Sequence, residues 1–297
     1  GLQALSARLD AVIRREGENG AFVRLATRSP KDAVLNGARV RELLRAEVVR
    51  HPHADAESVE CAIDDTLAYW RCVSRANCVL SGDEAVALIG HSNRCQDDLT
   101  LGRLQQGSES FKMAVVVRRW EPRLDPVLEF RCFVVRGDMT AITQYHMTCY
   151  VPEIVANQHA IQRGIQAEFD NLKARIWAPD QTYTIDFATS ADGSWVRLIE
   201  INDPPPTAGT SLFNYNDPHD RALMASLPLT FRIVTQPLAW RATSDIHLPL
   251  RTFIDELRGR ATQPEAAAPD DRADKRDASE VERPSRPFRW LRRVFGR

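Results

Sequence analysis

The sequence predicts a mixed α+β fold with antiparallel sheets. Two stretches alternate as β-hairpins do: residues 127–145, turning at Gly137-Asp138, and residues 182–201, turning near Asp192-Gly193. A predicted helix over about 155–176 separates the two hairpins. Helical spacing of apolar residues also covers 1–16, 38–50 and 56–73. Hairpins joined through helices, without repeated βαβ units, indicate the α+β class.

The first third of the chain adds two more predicted strands. Ala21 to Leu25 is one, and Lys112 to Trp120 is the other, with an apolar run at 113–117 that has the β-branched residues of a buried strand. The polar stretch from Thr27 to Ala33 lies between the first strand and a helix, which predicts a loop. We therefore expect an N-terminal lobe over 1–116, a C-terminal lobe over 117–260 and a solvated tail over 261–297, where apolar residues become scarce.

Composition and charge exclude several classes of protein. With 43% hydrophobic and 27% charged residues the chain is globular, and a net charge of −1 lacks the basic stripe of a nucleic-acid-binding protein. No run of about 18 apolar residues and no secretory signal pattern is present, so a cytoplasmic location is expected. The six cysteines lack the spacing of zinc or redox motifs, and we expect buried thiols. Glycine-rich nucleotide motifs of the Rossmann or P-loop type are also absent.

The second hairpin carries the candidate metal ligands. Glu200 and Asn202 share one side of its last strand, and a three-residue loop at 192–194 would place Asp186 directly across from Glu200, with Cβ atoms roughly 5 Å apart. Two carboxylates this close must take a proton or share a cation. Asn202 would complete an all-oxygen set that suits magnesium. The alternative is a solvent-facing polar side; the lack of lysine or arginine at these strand positions favours a bound cation.

Five blocks of sequence occur here in the order seen in the cell division cycle protein 123 family, which the chain resembles over roughly residues 20–215. The blocks are FVRLATRSPKDA at 22–33, VRRW at 117–120, EFRCFV at 129–134, YTID at 183–186 and LIEIN at 198–202. The resemblance implies an ATP-grasp fold, in which two lobes with antiparallel sheets clasp ATP and Mg²⁺. Members of that family act in eukaryotes as chaperones that help to assemble translation initiation factor 2.

The resemblance also implies roles for individual residues. Arg24 would reach the phosphates, the loop at 29–32 would cover them, the strand at 117–120 would meet the adenine edge, and Arg131 would reach the γ-phosphate. The implied ATP-binding residues are Arg24, Arg28, Ser29, Lys31, Val116, Val117, Arg118, Arg119, Trp120 and Arg131, and the implied metal ligands are Asp186, Glu200 and Asn202.

The sequence departs from the family pattern in four places. Glu200 stands where an aspartate is more typical, and only about 20 residues precede Phe22, so the family's N-terminal aromatic segment is not expected. The last block continues as Asn202-Asp203-Pro204, where the family has proline directly after asparagine. The segment between Ala33 and Lys112 is also longer than usual.

Two functions follow from these expectations and stay open at this point. One is an ATP-dependent assembly chaperone with a translation initiation factor 2 subunit as its protein partner. The other is an ATP-dependent ligase that forms an acyl phosphate through the same magnesium and arginine residues. The sequence does not name an acceptor substrate.

The end of the chain carries a separate feature. Residues 286–297 contain five arginines interleaved with aromatic and aliphatic residues. As a helix this segment would be basic and amphipathic, which is typical of segments that lie on anionic membranes or dock in a partner's groove. The alternative is a solvated end that binds nothing.

Overall fold

The computed structural model describes residues 1–16, 19–107, 111–176, 181–243 and 245–260. Its elements confirm the α+β class, with two sheets and helices around them. In chain order they are α1 (Leu2–Glu16), β1 (Ala21–Leu25), α2 (Ala38–Arg50), α3 (Val59–Ala76), β2 (Cys78–Val79), α4 (Gly82–His91), α5 (Asn93–Gln106), β3 (Val115–Arg119), β4 (Glu129–Val135), β5 (Asp138–Gln144), α6 (Pro152–Lys173), β6 (Tyr183–Thr189), β7 (Val196–Asn202), α7 (Pro218–Ala225), β8 (Thr230–Arg232) and α8 (Leu248–Arg258).

The small sheet has three antiparallel strands in the order β2-β1-β3. Val23 pairs with Val117, and both belong to the apolar cluster that α1 covers. Strand alternation directs the neighbouring positions to the other side, so Phe22, paired with Arg118, and Arg24, paired with Val116, face away from α1. The small sheet therefore has one apolar side and one side that is available for a site.

The large sheet has five strands in the order β7-β6-β4-β5-β8. Phe130, Cys132 and Val134 of β4 belong to the main apolar cluster, where α6 contributes Ile161 and Ile165. This agrees with the alternation predicted over residues 127–145. The expectation of purely antiparallel sheets is wrong at one edge, because β8 pairs with β5 in parallel. β8 comes back to the sheet after α7, by a long connection that allows it to run in the same direction as β5.

Both predicted hairpins form, with different turns. Arg136 and Gly137 have φ values of 53° and 84° and make a two-residue turn, so the predicted Gly137-Asp138 turn is shifted by one residue and Asp138 begins β5. The second hairpin closes through residues 190–195 rather than 192–194. Asp186 nevertheless pairs with Glu200 as predicted, because a bulge between Asp186 and Phe187 absorbs the difference in loop length.

A helical layer joins distant parts of the chain. α2 packs against both α3 and α8, and the apolar cluster that the three helices share includes Leu44, Tyr69, Trp240 and Ile254. The predicted helices at 1–16, 38–50, 56–73 and 155–176 are confirmed within a few residues. Sequence reasoning did not predict α4, α5, α7, α8, β2 or β8. The division into lobes at 116/117 stays a prediction; that position falls within β3.

The predicted state of the cysteines is confirmed, since all six are buried free thiols. Among the described residues, none of the helices is both long and apolar enough to span a bilayer. The predicted basic amphipathic segment at 286–297, and with it the expected contact with anionic membranes, lies outside the described residues.

Candidate functional site

The two sheets meet at the strand that carries Glu200. Arg24 of β1 donates from Nη1 to Oε2 of Glu200 over 3.1 Å, and both side chains are largely buried, at 16% and 18% exposure. Arg118 of β3 donates from Nη1 to the carbonyl oxygen of Ile199, also over 3.1 Å. These two contacts bring the inner face of the small sheet onto β7. Residues 24 and 200, far apart in sequence, thus become direct neighbours.

Asp186 lies at the buried base of the site, with no exposed side-chain surface. Arg131 on the adjacent strand β4 donates to both of its carboxylate oxygens, from Nε over 2.9 Å and from Nη2 over 2.8 Å. Asn202 donates from Nδ2 to the same carboxylate over 3.0 Å. Burial raises the pKa of Asp186, while the Arg131 bonds oppose this. The pair is a buried, bidentate ion pair of the kind that loses much stability when one partner is removed.

The structure corrects the reasoning that led to an external cation. That reasoning held that nothing basic neutralises the carboxylates of the hairpin, yet Arg131 neutralises Asp186 and Arg24 neutralises Glu200. The two arginines come from β4 and from the other sheet, which a two-strand pattern cannot reveal. Across the described residues, no group of three or more His, Cys, Asp or Glu side chains is arranged to hold a metal. The predicted metal set contains only two side chains of these types, Asp186 and Glu200, together with the amide of Asn202. It therefore stays a prediction.

Arg131 is held by three partners. Besides Asp186 it donates from Nη1 to the carbonyl oxygen of Gly209 over 2.8 Å, and its guanidinium lies 4.7 Å from the ring centroid of Tyr145. Three of its five N–H groups are used in these contacts with described residues, so two can still be directed at an anion. The ion-pair partner of Arg131 is Asp186 on the adjacent strand rather than Glu129 on its own strand.

A polar pocket of about 360 Å³ lies above this base. Seven of the residues predicted to bind nucleotide or metal line it: Arg24, Arg28, Ser29, Lys31, Arg131, Glu200 and Asn202. The loop at 27–33 forms one wall and is fixed at its end by Asp32, which accepts from Ser92 Oγ over 2.6 Å. Residues 207–209 form the opposite wall. The pocket therefore combines arginine and lysine side chains with carboxylate and amide oxygens.

An apolar cavity of about 640 Å³ adjoins the polar pocket, and Lys31, Arg94 and Tyr145 line both. Aromatic rings from different parts of the chain surround it, among them Phe22 and Trp120. The far wall comes from α3 and from residues 245–247. Its walls suit a planar apolar group, whereas those of the polar pocket suit a multiply charged anion.

The predicted ATP-binding residues 116–120 lie in different environments. Trp120 lines the apolar cavity, and Arg118 reaches β7 through its bond to Ile199. Val117 packs in the cluster under α1, so its side chain faces away from the site. Val116 pairs with Arg24 on the inner face, and Arg119 is exposed. Of this group, only Trp120 lines either of the two pockets.

Lys31 lies among the acidic groups of the site. Burial acts to lower the pKa of Lys31, but the nearby carboxylates, with Glu129 first among them, outweigh it and the pKa is raised. For Glu200 burial acts to raise the pKa, and the charges of Lys31 and Arg24 bring it below the usual value. Lys31 is thus held as a cation and Glu200 as an anion. The Nζ atom of Lys31 also lies 5.8 Å from the ring centroid of Tyr145.

Glu129 is a buried carboxyl group that the sequence analysis did not select. Burial raises the pKa of Glu129 to about 7, against the opposing charge of Lys31. Its Oε1 atom is buried and has no hydrogen-bond partner. Glu129 lines the apolar cavity, two residues before Arg131 on the same strand face, and that spacing was the signal available in the sequence. Tyr145, Arg94 and residues 207–209 were also missed; nothing local in their sequence marks them.

The buried carboxyl of Glu129 predicts a pH-dependent stability. Its pKa is raised on folding from about 4.5, so its contribution is full below pH 4.5 and is lost as pH rises through about 7. Between pH 5 and 8 we expect the free energy of unfolding of Glu129→Gln to gain about 2 kcal/mol relative to the parent. Urea titrations at pH 5, 6, 7 and 8 measure this difference. A difference that stays constant with pH contradicts the buried, uncompensated carboxyl.

Comparison with known proteins identifies the family. The sequence model of the D123 family matches residues 68–251 of this chain, which is more than half of its length. The chain belongs to the D123 family. The translation initiation factor eIF2 assembly protein of Xenopus tropicalis is 24% identical over 155 residues, and cell division cycle protein 123 of Yarrowia lipolytica is 26% identical over 141 residues.

Structural comparison agrees with this family. Cdc123 from Schizosaccharomyces pombe has a TM-score of 0.56 with this D123 chain at 16% sequence identity, over 79% of each chain. At this identity the likeness shows a shared fold. The sequence matches cover 50% of this chain and 45% of the Xenopus tropicalis protein, and 47% and 37% for the Yarrowia lipolytica protein. The matched part of the chain thus spans less than half the length of the Xenopus tropicalis and Yarrowia lipolytica proteins.

Proposed function

We propose that this chain is an ATP-grasp protein that binds ATP with Mg²⁺ in its two adjoining pockets. One observation carries the proposal: seven predicted site residues, from three separate stretches of the sequence, line a single polar pocket. Residues that serve only as solvated surface or as separate ion pairs have no reason to converge in this way. The ATP-grasp assignment supplies the arrangement, with the small sheet on one side of the ligand and the large sheet on the other.

The polar pocket suits the triphosphate. Arg24, Lys31 and Arg131 offer cationic donors, and Arg28 adds a fourth, although it is shared with Asp98 over 3.0 Å. A triphosphate provides Arg24 with a more highly charged partner than Glu200. If Arg24 bound a phosphate group instead of Glu200, the Glu200 carboxylate would be released.

The residues present fit a magnesium ion. Glu200 and Asn202 line the polar pocket and offer the carboxylate and amide oxygens that Mg²⁺ accepts together with phosphate oxygens, while Asp186 lies buried beneath them with both oxygens bonded to Arg131. When bound there, the ion would neutralise charge on the phosphates. Arg131 would keep Asp186 oriented from below, because its two bonds fix the plane of that carboxylate. The apolar cavity would take the nucleoside, with Trp120 and Phe22 as aromatic walls.

Removal of the amide ligand tests the proposal. We expect the parent to bind ATP more tightly with Mg²⁺ than with EDTA, and Asn202→Ala to lose most of that difference, because it removes an oxygen ligand without removing a buried charge. Isothermal titration calorimetry with and without Mg²⁺ measures both. Asn216→Ala, an exposed asparagine beyond the pocket, is the matched control and should bind as the parent does. Equal magnesium dependence in the parent and Asn202→Ala would remove Asn202 from the metal set.

We infer further that the chain assists the assembly of translation initiation factor 2. The support is the family together with its relatives from two Xenopus species, which are translation initiation factor eIF2 assembly proteins. The test is co-precipitation of the purified chain with each purified eIF2 subunit, with and without Mg-ATP. Retention of one subunit supports the role. Release of ADP that depends on an added carboxylate and amine, with no subunit retained, would instead support the ligase alternative.

A further inference from the structure

Two arginines of α2 lie over one aromatic ring of α8. The guanidinium carbons of Arg41 and Arg45 are 5.0 Å and 5.5 Å from the ring centroid of Phe253, which is itself only 8% exposed. Because they are four residues apart on one helix, the two side chains are neighbours of like charge, an arrangement that by itself disfavours the helix. Contact with the ring leaves the N–H groups at the guanidinium edges available to an acceptor.

These N–H groups have no acceptor within the part of the chain that the structure describes. Neither Arg41 nor Arg45 makes an ion pair or a hydrogen bond there. Arg39 on the same helix differs, because it pairs with Glu84 over 3.6 Å. Glu42, next to Arg41, is exposed and forms no ion pair with either guanidinium group. The surface thus offers two adjacent guanidinium groups that suit a partner with several carboxylates.

The chain itself supplies such a partner beyond the described fold. Residues 265–282 contain seven acidic and three basic side chains, a net charge of −4. The chain leaves α8 close to the arginine pair, because Arg258 donates from Nη1 to the carbonyl oxygen of Val48 over 3.2 Å. Val48 is three residues beyond Arg45, about 4.5 Å along α2. The first aspartate of the stretch follows the last described residue by ten positions, and ten residues span at most about 35 Å. The acidic stretch is therefore within reach of the pair.

We propose that the acidic stretch at 265–282 docks on α2 and α8, with its carboxylates bound to Arg41 and Arg45. The docking surface lies beside the far wall of the apolar cavity. His247 lines that cavity, and its pKa is lowered by burial and by the charge of the nearby Arg41. The basic segment at 286–297 carries the wrong charge for this surface. The contact does not depend on the proposed nucleotide site.

Cleavage at Lys275 measures the docking. Lys275 lies within the acidic stretch and is the only lysine after Lys173, so endoproteinase Lys-C releases residues 276–297 as one fragment. A docked segment is cut only after it detaches. We expect the full chain with Arg41→Gln and Arg45→Gln to be cut about fivefold faster than the parent, which is the factor that two largely exposed ion pairs provide. At about 1 M NaCl the parent should be cut at the rate of this variant.

A variant of the acidic side tests the same contact from the other partner. The four substitutions Asp270→Asn, Asp271→Asn, Glu280→Gln and Glu282→Gln leave the residues next to Lys275 unchanged, and this variant should also be cut about fivefold faster. It changes no residue of the described fold, so the test holds even if the arginine variant is less stable. Combining both sets of substitutions should add no further acceleration, because both remove the same contact.

The control removes two exposed arginines elsewhere, Arg8 on α1 and Arg163 on α6. Arg8→Gln with Arg163→Gln should be cut at the rate of the parent. Equal rates for the parent and both charge variants overturn the proposal. Faster cleavage of the control overturns it as well, because a general effect of net charge then explains the change. Acceleration by the acidic-side variant alone would place the stretch on another surface, and additive effects in the combined variant would show two separate contacts; either result overturns the proposal.

Discussion

Replacement of Asp186 by alanine is expected to lower the free energy of unfolding by about 3–5 kcal/mol. The side chain of Asp186 is fully buried and accepts two bonds from Arg131, which is itself only 8% exposed. Without Asp186 the guanidinium stays buried with its charge uncompensated, and the desolvation cost is no longer offset. Urea denaturation of Asp186→Ala measures the loss.

The physical cause is tested by removing both charges together. The double variant Arg131→Met, Asp186→Leu should recover much of the stability, because no unpaired charge remains in the interior. Asp138→Ala is the matched control, since its pair with Lys173 is exposed at 59% and 46% and is expected to change stability by less than about 1 kcal/mol. If the single and double variants are equally unstable, packing rather than charge explains the loss. Asn202 is a cleaner probe of metal binding than Asp186, because its removal leaves no buried charge unpaired.

Asp65→Ala is expected to cost as much, again about 3–5 kcal/mol. Asp65 on α3 accepts from Arg258 at the end of α8 over 2.7 Å and from Arg260 over 2.7 Å, and all three side chains are nearly fully buried. One carboxylate thus compensates two buried guanidinium groups; its loss leaves Arg258 without a carboxylate partner and Arg260 with only Asp255, over 3.3 Å. Thermal and urea denaturation of the variant should agree on the loss, as α8 is held to α3 through this contact.

The control for Asp65 is an exposed glutamate–arginine ion pair in the same helical layer. Glu57 accepts from Arg241 over 3.1 Å, with side chains 54% and 45% exposed. Glu57→Ala should change the free energy of unfolding by less than about 1 kcal/mol, because water solvates both groups once they separate. A loss for Asp65→Ala as small as that for Glu57→Ala would mean that the buried cluster contributes little to stability.

The sequence by itself determined the local elements and one long-range register. Apolar spacing predicted α1, α2, α3 and α6, and strand alternation predicted β1 and the faces of β4. The pairing of Asp186 with Glu200 was predicted from a three-residue loop; the hairpin closes through residues 190–195 instead, and a bulge next to Asp186 restores the pairing. These features depend on contacts within or between neighbouring segments, which are written in the order of the residues.

The resemblance to a known family added what spacing could not. It selected Arg24, Lys31 and Arg131 as companions of the hairpin, and the structure brings them to the same polar pocket. It did not predict that Arg131 pairs with Asp186 or that Arg24 pairs with Glu200. These two arginines supply the positive charge for which an external cation was expected.

The tertiary structure alone decided how the site is enclosed. The cavity takes Asn77 from the end of α3, Glu129 from β4 and His247 from the segment before α8, residues that are distant in sequence and share no motif. Within the described residues, one side-chain atom of each, Asn77 Oδ1, Glu129 Oε1 and His247 Nδ1, is buried without a hydrogen-bond partner. Alternation and helical period describe one segment or two neighbouring ones. A wall built from three separate elements exists only once the helical layer has closed over the two sheets.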